Sequence, residues 1–464
     1  MIFPSNRVRI MVATKPVDFR KGHDGLAALV KNELHKDPFT GTVFVFRSRK
    51  ADRLKLIYWD GSGLVMAYKR LEEHTFTWPS IRDGLMTLGH AQFRVIVTRR
   101  PKYACRACTD GVSQAPAPAR LIHGGLPTEA AIAHVLVSKY ADHLPLYRQA
   151  QIMSRQGIDL DRSTLADWVG RAAFELRPVF DALIADLKRS TKLFMDETRA
   201  PVLDPGSRKT KTGYFWALAR DDRPWNGGAP PGVAFTYAPG RGGQHAERIL
   251  QGFTGILQVD GYAGYNRLIA PDRVGPHIQL VYCWAHARRK LVEITRTGSA
   301  PIAEEGVKRI GELYRIEGEL RGLNPEARLA GRQERSAALV KGMRAWLSHH
   351  RALVAGKSPL GEVLAYIAKY WDGLCIFLTD GRIEIDNNSV ERTIRPIALS
   401  RKNALFAGHD AGAENWATIA SLIETCKLNA VDPFAYLTAT LTAIAKGHKQ
   451  RRIAELLPWN YPSA

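Results

Sequence analysis

The sequence predicts an α/β protein in which a mixed sheet is interrupted by a helical block and preceded by a small β-rich region and a helical one. Three observations carry this. From Lys192, "KLFMDETRAPVL", "TGYFWALARD" and "GVAFTYAPG" read as three consecutive strands; helix ("GGQHAERILQGF"), strand ("GILQVDGYAGY") and strand into helix ("IQLVYCWAHARRKLVEIT") then alternate, the order of a mixed sheet. Residues 303–374 lack strand signals, and Val307, Ile310, Leu313 and Tyr314 recur there at helical spacing. Residues 39–79 instead show short β-forming runs broken by "KADR" and "DGSG", a β-meander. These patterns divide the 464 residues into a basic β-rich domain (1–95), a linker (96–125), a helical region (126–190), a sheet-based core (191–425, helical block about 301–374) and a helical tail (426–464).

The β-rich opening is also the most basic part. The whole chain carries 66 Lys and Arg against 45 Asp and Glu, a formal charge of +21, which favours a polyanionic partner through phosphate contacts and counterion release. Residues 1–100 hold 18 basic and 9 acidic side chains, so less than a quarter of the chain carries close to half of that surplus. Arg47, Arg49, Lys50, Arg53, Lys55, Lys69 and Arg70 line the meander, interleaved with Tyr58, Trp59 and Tyr68. This pattern suits DNA, although charged edges also block sheet-to-sheet association. No apolar run approaches a membrane span and the N-terminus lacks a secretory pattern, so a cytoplasmic protein without membrane partners is expected. Five cysteines in so long a chain cannot form a disulfide scaffold and fit a reducing compartment. Only Cys105 and Cys108 are close neighbours. They form a partial Zn²⁺ site, because a structural site needs four ligands and His90 and His123 are the only substitutes nearby.

Past the linker the period becomes helical. One helix runs from Thr128 to about Tyr140, a second from about Pro145 to Gln156, and after a break at Gly157 a third starts at an Asp161 cap. A helix, a short turn containing Gly and a helix opening "DRSTLADWV" match a helix-turn-helix, with Arg162, Ser163 and Thr164 facing a groove of DNA; many small helical hairpins share this pattern.

The core carries the chemistry. "LFMD" and "ILQVD" place Asp196 and Asp260 directly after apolar strands, at the edge where α/β sheets bind ligands. If those strands are parallel neighbours, their backbones lie about 4.8 Å apart, a separation suited to joint metal binding. Glu197 competes with Asp196, but strand neighbours point to opposite faces; Asp196 follows the apolar run directly. "RIEIDNNSVERTIRPI" (382–397) opens a further helix with Asp386, Asn387, Asn388 and Glu391, more acids and amides than a cap requires. Glu391 supplies a third carboxylate, enough to hold Mg²⁺ or Mn²⁺ ions for in-line phosphoryl displacement. Arg392, Arg395, Arg401 and Lys402 follow, placed to grip a phosphodiester backbone. Asp386 and the amides are expected to shape the helix start. Cys283 and His286 in "CWAH" have ligand-like spacing, but two ligands do not make a site, and packing is the reading assigned to them.

"FMDET", "LQVDGYAGYN", "CWAHARRK" and "EIDNNSVERTIRPIALSRKNALFAG", with "KYADHLPLYRQ" and "DRSTLADWVGRA" upstream, resemble the transposase of the insertion-sequence-sixty-six family from about Lys102 to "ELLPWNY". The resemblance implies a ribonuclease H-like core with an Asp-Asp-Glu triad at Asp196, Asp260 and Glu391, a helical insertion ahead of the last catalytic helix, and cleavage of element ends followed by strand transfer. It also implies DNA ends and target as partners, homo-oligomers on DNA and other proteins of the same element. Residues 1 to about 93, through "VDFRKGHDGLAALV", "DPFTGTVFVFRSR" and "LIYWDGSGLVMAYKRLE", are similar to the small accessory protein of those elements, ordinarily a separate chain. The resemblance further implies a coiled-coil-like segment and a second cysteine pair ahead of Cys105 and Cys108; "AQFRVIVTRRPKYAC" stands in their place. Two alternatives share these residues: a DNA-binding remnant without catalysis, and a ribonuclease H-type nuclease without strand transfer.

Overall fold

The computed structural model describes residues 10–13, 15–71, 85–88, 93, 95–104, 112–204, 206–207, 209–296 and 298–462, and divides into two units, Met1–Pro101 with Ser154–Ile158, and Lys102–Met153 with Asp159–Ala464. Cys105, Cys108 and His90 lie outside the described residues.

In the first unit, β1 (Ile10–Ala13), α1 (His23–Asn32), β2 (Val43–Arg47), β3 (Arg53–Trp59), β4 (Leu64–Arg70) and β5 (Leu85–Leu88) form a five-stranded sheet of order β4-β3-β2-β1-β5 beside one helix. The expected meander is β2-β3-β4, whose turn at 60–63 is closed by the Asp60 carboxylate accepting from the Ser62 and Gly63 N–H groups at 2.9 Å. β1 adds parallel to β2 and β5 antiparallel to β1, so the sheet is mixed. Helix α1 went unread in the sequence because "HDGLAALV" is too short for several helical periods. Its Leu26 and Val30 pack on Met11, Ala13, Phe44, Phe46 and Ile57. Of the basic residues on the meander, Lys55 is buried, with Nζ donating to Phe19 O (3.0 Å) and Lys21 O (2.7 Å).

The second unit opens with a two-stranded hairpin, β6 (Lys102–Ala104) and β7 (Val112–Gln114), and three helices, α2 (Glu129–Tyr140), α3 (Leu146–Ser154) and α4 (Arg162–Lys188). Gly157 adopts φ +81° between α3 and α4, a conformation that costs glycine little, and Asp161 caps α4 by accepting from Ser163 N–H at 2.7 Å.

The central sheet comprises β8 (Lys192–Asp204), β9 (Lys209–Arg220), β10 (Gly232–Ala238), β11 (Gly255–Val259) and β12 (Ile278–Tyr282), in the order β10-β9-β8-β11-β12. β8, β9 and β10 are antiparallel, as hairpin connections allow, while β11 and β12 run parallel to β8. Helix α5 (Gly243–Ile249) lies between β10 and β11 in the chain, and α6 (Trp284–Thr295) follows β12.

An all-helical stretch then intervenes: α7 (Pro301–Leu320), α8 (Pro325–Gly331), α9 (Ala337–Leu353), α10 (Pro359–Lys369) and α11 (Trp371–Cys375). Its core, including Ile310, Leu313, Val340, Met343, Trp346, Leu364 and Phe377, is continuous with Trp284 and Leu291 of α6 and Val281 of β12. The insertion is thus built onto the sheet edge.

The chain returns through α12 (Asn388–Ala404), α13 (Asp410–Leu428) and α14 (Pro433–Ala445). Helix α13 runs across the 425/426 boundary drawn from sequence and covers edge strand β10. Thr425 Oγ1 accepts from Val233 N–H (3.1 Å) and donates to Val233 O (3.0 Å), and Ser421 Oγ accepts from Phe235 N–H (2.7 Å). Hydroxyls thereby satisfy backbone groups that an edge strand leaves open. Among the described residues no helix is long and apolar enough to cross a membrane.

Candidate active site

The β8–β11 register pairs Ile256 with Lys192, Leu257 with Leu193 and Gln258 with Phe194. Carried two residues further, it sets Asp260, just past the end of β11, beside Asp196, which lies within β8 and not at its end: β8 continues to Asp204, held by its pairing with β9, so only Asp260 follows its strand as the sequence suggested. The Asp196 carboxyl is pushed up to about 8, first by burial, then by the negative charges of Glu197 and Asp260, with Glu391 adding to the same effect. Asp196 therefore feels the charges of carboxylates 64 and 195 residues further along the chain. Asp260 Oδ1 accepts from Tyr262 N–H (2.9 Å) and Asp196 Oδ1 from Glu197 N–H (2.8 Å), which fixes both side chains.

Glu197, the competitor on the same strand, has its own partners. Tyr265 O–H donates to Oε2 (2.6 Å) and Arg241 Nε to Oε1 (2.7 Å), and the Arg241 guanidinium lies 3.7 Å over the Tyr262 ring. Its charge is neutralised within the fold, whereas that of Asp196 is not.

The segment leading into α12 is anchored residue by residue. Gln258 on β11 exchanges two hydrogen bonds with the Glu384 backbone, Nε2 to O at 2.8 Å and Glu384 N–H to Oε1 at 3.0 Å. Trp284 N–H donates to Ile385 O (2.9 Å), Asn387 N–H to Cys283 Sγ (3.2 Å) and Asn387 Nδ2 to Met195 O (3.2 Å). Asn387 is fully buried and ties the start of α12 to the residue preceding Asp196. Asp386 accepts from Asn388 N–H (3.0 Å) and Asn388 Nδ2 (2.7 Å), closing the turn as its composition suggested. The surplus of acids and amides thus splits into a turn, a tether and a site residue.

Glu391, one turn in, faces α6. His286 Nε2 lies 3.7 Å from its Oε1 and Arg289 Nη2 3.3 Å from its Oε2. The insertion holds the other side of the cluster: Tyr370 O–H donates to Gly261 O (2.7 Å), and a Cβ on Gly261 would meet the Tyr366 hydroxyl oxygen at 2.5 Å and a ring carbon at 2.7 Å. Only glycine admits α10 this close to the residue after Asp260. Burial lowers the His286 pKa, against the neighbouring Asp260 and Glu391 charges that raise it.

The basic residues expected to meet DNA are spread over two helices. Arg392, Arg395 and Lys402 are exposed on α12, while Arg401 is half-buried and donates to Arg199 O. Arg162 and Ser163 are exposed in the first turn of α4 and Thr164 is half-buried there; Ser163 Oγ is engaged by the Asp161 cap at 2.6 Å. Sequence reading missed Arg289, Tyr366 and Tyr370, none of which has a local signature, took Asn387 only as shaping the helix start, and set His286 aside for want of a third ligand.

Comparison with known proteins agrees with this layout. The model of the Transposase IS66 family matches residues 124–415, that of the IS66 Orf2 like protein residues 8–100, and that of the IS66 C-terminal element residues 421–459. Among relatives in Sinorhizobium fredii (strain NBRC 101917 / NGR234), the uncharacterized protein y4qI is 48% identical over 373 residues, 80% of this chain and 69% of that protein. The uncharacterized protein y4jD is 46% identical over 375 residues, 80% and 73% of the two chains. The uncharacterized protein y4jC is 50% identical over 97 residues, 21% of this chain and 83% of its own. The chain belongs to the IS66 transposase family, with an IS66 Orf2-like segment joined in front of the transposase domain.

Proposed function

We propose that this protein is a DNA transposase in which Asp196, Asp260 and Glu391 hold Mg²⁺ or Mn²⁺ and cleave the phosphodiester at element ends, the freed 3′-hydroxyl then attacking target DNA. The observation that carries the reading is the Asp196 carboxyl, raised to about 8 by burial and by the charges of Glu197, Asp260 and Glu391. Like charges gathered between β8, β11 and α12, with Glu197 held by Arg241 and Tyr265 and Glu391 reached by Arg289 at the rim, fit a hard divalent cation. Three antiparallel strands followed by two parallel to the first, with a helical insertion ahead of α12, support a ribonuclease H-like core.

When bound, the cations supply Lewis-acid stabilisation of the phosphoryl oxygens and of the attacking and leaving oxygens. The residues of the chain supply position. Asn387 and Gln258 hold α12 to the sheet so that Glu391 meets the two aspartates; Gly261 and Tyr370 fix the loop after Asp260. Arg392 and Arg395, exposed beside Glu391, grip the phosphodiester, and Arg289 releases Glu391 as the cation enters. Each chemical step is an in-line displacement: water replaces the 3′-oxygen, which leaves as a hydroxyl, and that hydroxyl later displaces an oxygen of the target strand. Arg162, Ser163 and Thr164 at the start of α4, together with the basic N-terminal unit, contact DNA, and oligomers of the chain with other proteins of the element complete the assembly.

The test is cleavage of labelled element-end DNA in Mg²⁺ by the parent chain and by Asp196→Ala, Asp260→Ala and Glu391→Ala. Each substitution is expected to reduce cleavage at least about 100-fold, the scale of losing one electrostatic stabiliser. Equal activity in the three variants would remove the site from these residues.

A further inference from the structure

Cys283, His286 and Glu391 each offer one ligand atom, and the three atoms all lie within 4.8 Å of one another. From this geometry we infer that they form a second metal site, suited to a borderline cation of the Zn²⁺ class and sharing Glu391 with the carboxylate cluster. Sulfur, imidazole nitrogen and carboxylate oxygen with a fourth position open is a donor set that selects Zn²⁺ or Co²⁺ over Mg²⁺.

Cys283 stands at the N-cap of α6 and its Sγ already accepts from Asn387 N–H at 3.2 Å, while burial pushes the free thiol up to about 12, so the sulfur becomes a ligand only as the ion displaces its proton. The residue is 1% exposed, so an ion enters from the side of His286 and Glu391, whose side chains are 19% and 22% exposed. The 3.7 Å between His286 Nε2 and Glu391 Oε1 is close to the roughly 3.3 Å that two ligands on one tetrahedral ion require. Two polar atoms at the site, His286 Nδ1 and Glu391 Oε1, are buried with no hydrogen-bond partner. An unpaired buried polar atom costs about 1–3 kcal/mol, and coordination would satisfy the Glu391 oxygen. Packing alone accounts for Cys283, but not for a histidine and a glutamate set beside it with those atoms unpaired. Binding displaces the thiol proton to solvent.

The sharing of Glu391 has a consequence that rests on the transposase reading. A Zn²⁺ ion held by Cys283 and His286 draws Glu391 away from Asp196 and Asp260, so Zn²⁺ antagonises Mg²⁺-dependent cleavage.

The experiment uses Co²⁺ as probe, on the full chain carrying Cys105→Ser and Cys108→Ser so that the linker pair is silent. One equivalent of Co²⁺ is expected to give a sulfur-to-cobalt charge-transfer band, to be displaced stoichiometrically by Zn²⁺, and to lose the band in Cys283→Ser. His286→Gln keeps the thiol and is expected to weaken Co²⁺ binding at least about 10-fold, which reads the site even if the serine variant folds poorly. Absence of the band in the parent, its persistence in Cys283→Ser, or unchanged affinity in His286→Gln overturns the site. These spectra are read on the resting protein, so a chain that binds Co²⁺ this way but cleaves no DNA keeps the metal site and refutes the transposase reading instead.

Discussion

Two clusters of charge in the second unit, one in the insertion and one between β8, β11 and α12, are arranged in opposite ways. In the insertion, Arg328 and Arg332 are 1% and 0% exposed, yet each faces acids: Arg332 donates to both oxygens of Glu317 (2.7 and 2.6 Å), and Arg328 reaches Glu317 (3.2 Å) and Glu384 (2.8 Å). Arg332 also donates to the carbonyls of Phe377, Asp380 and Ile383, so the guanidinium stitches α7, the turn after α8 and the approach to α12 together. Between the inner strands β8 and β11 and the start of α12, Asp196, Asp260 and Glu391 bring like charges together. The first arrangement sets opposite charges against one another. The second gathers charges of one sign around Asp196, the arrangement on which the proposed cation site rests.

This contrast is open to direct attack. The largest stability effect is expected in the insertion: Arg332→Ala leaves Glu317 buried without its main partner and should cost about 3–5 kcal/mol in urea unfolding. A loss below about 1 kcal/mol would show that the network is not structural. At the site the sign reverses. Because the folded Asp196 carboxyl is raised from 3.8 to about 8, the folded chain holds a proton that the unfolded chain has released between those values. Stability without divalent cations therefore falls as pH rises from about 4 to about 8, by a few kcal/mol in order of magnitude. Asp196→Asn removes that slope and raises stability at pH 8; an unchanged pH profile in the variant would contradict the environment assigned to Asp196.

A smaller effect is expected where the insertion meets the site. Gly261→Ala forces a methyl against Tyr366 and should cost about 1–3 kcal/mol, with cleavage falling further because Asp260 shifts; Tyr366→Leu in the same chain should restore part of both. Smallest of all is the exposed pair Arg177–Asp181 on α4, 2.9 Å apart, where Arg177→Ala should change stability by about 0.5 kcal/mol or less.

The same contrast explains what the sequence disclosed. Asp196 and Asp260 were legible because an apolar run ending in an acid is a local signal, and β11 does pair parallel with β8. Glu391 was legible through the crowded helix start. Arg328 and Arg332 were not, since arginine in a helical period reads as a solvent face, and only the folded insertion shows its acids turned inward. Asn387 read as a cap residue, but its amide crosses to Met195, a contact between positions 192 residues apart. The grouping of Cys283 and His286 with Glu391 depends on that docking, so the "CWAH" spacing alone could supply only two ligands. Helix α1 escaped because one short amphipathic turn pair carries too few periods to count.

The central claim is that three acids distant in the chain share a divalent cation. Its most direct test is the unfolding midpoint measured against Mg²⁺ concentration at pH 8, for the parent chain and for Asp260→Asn. A cation bound only by the folded state stabilises in proportion to the logarithm of its concentration above Kd. The parent midpoint should climb with Mg²⁺ and that of Asp260→Asn should stay flat. Equal slopes for the two chains, or a flat parent, would contradict the shared site.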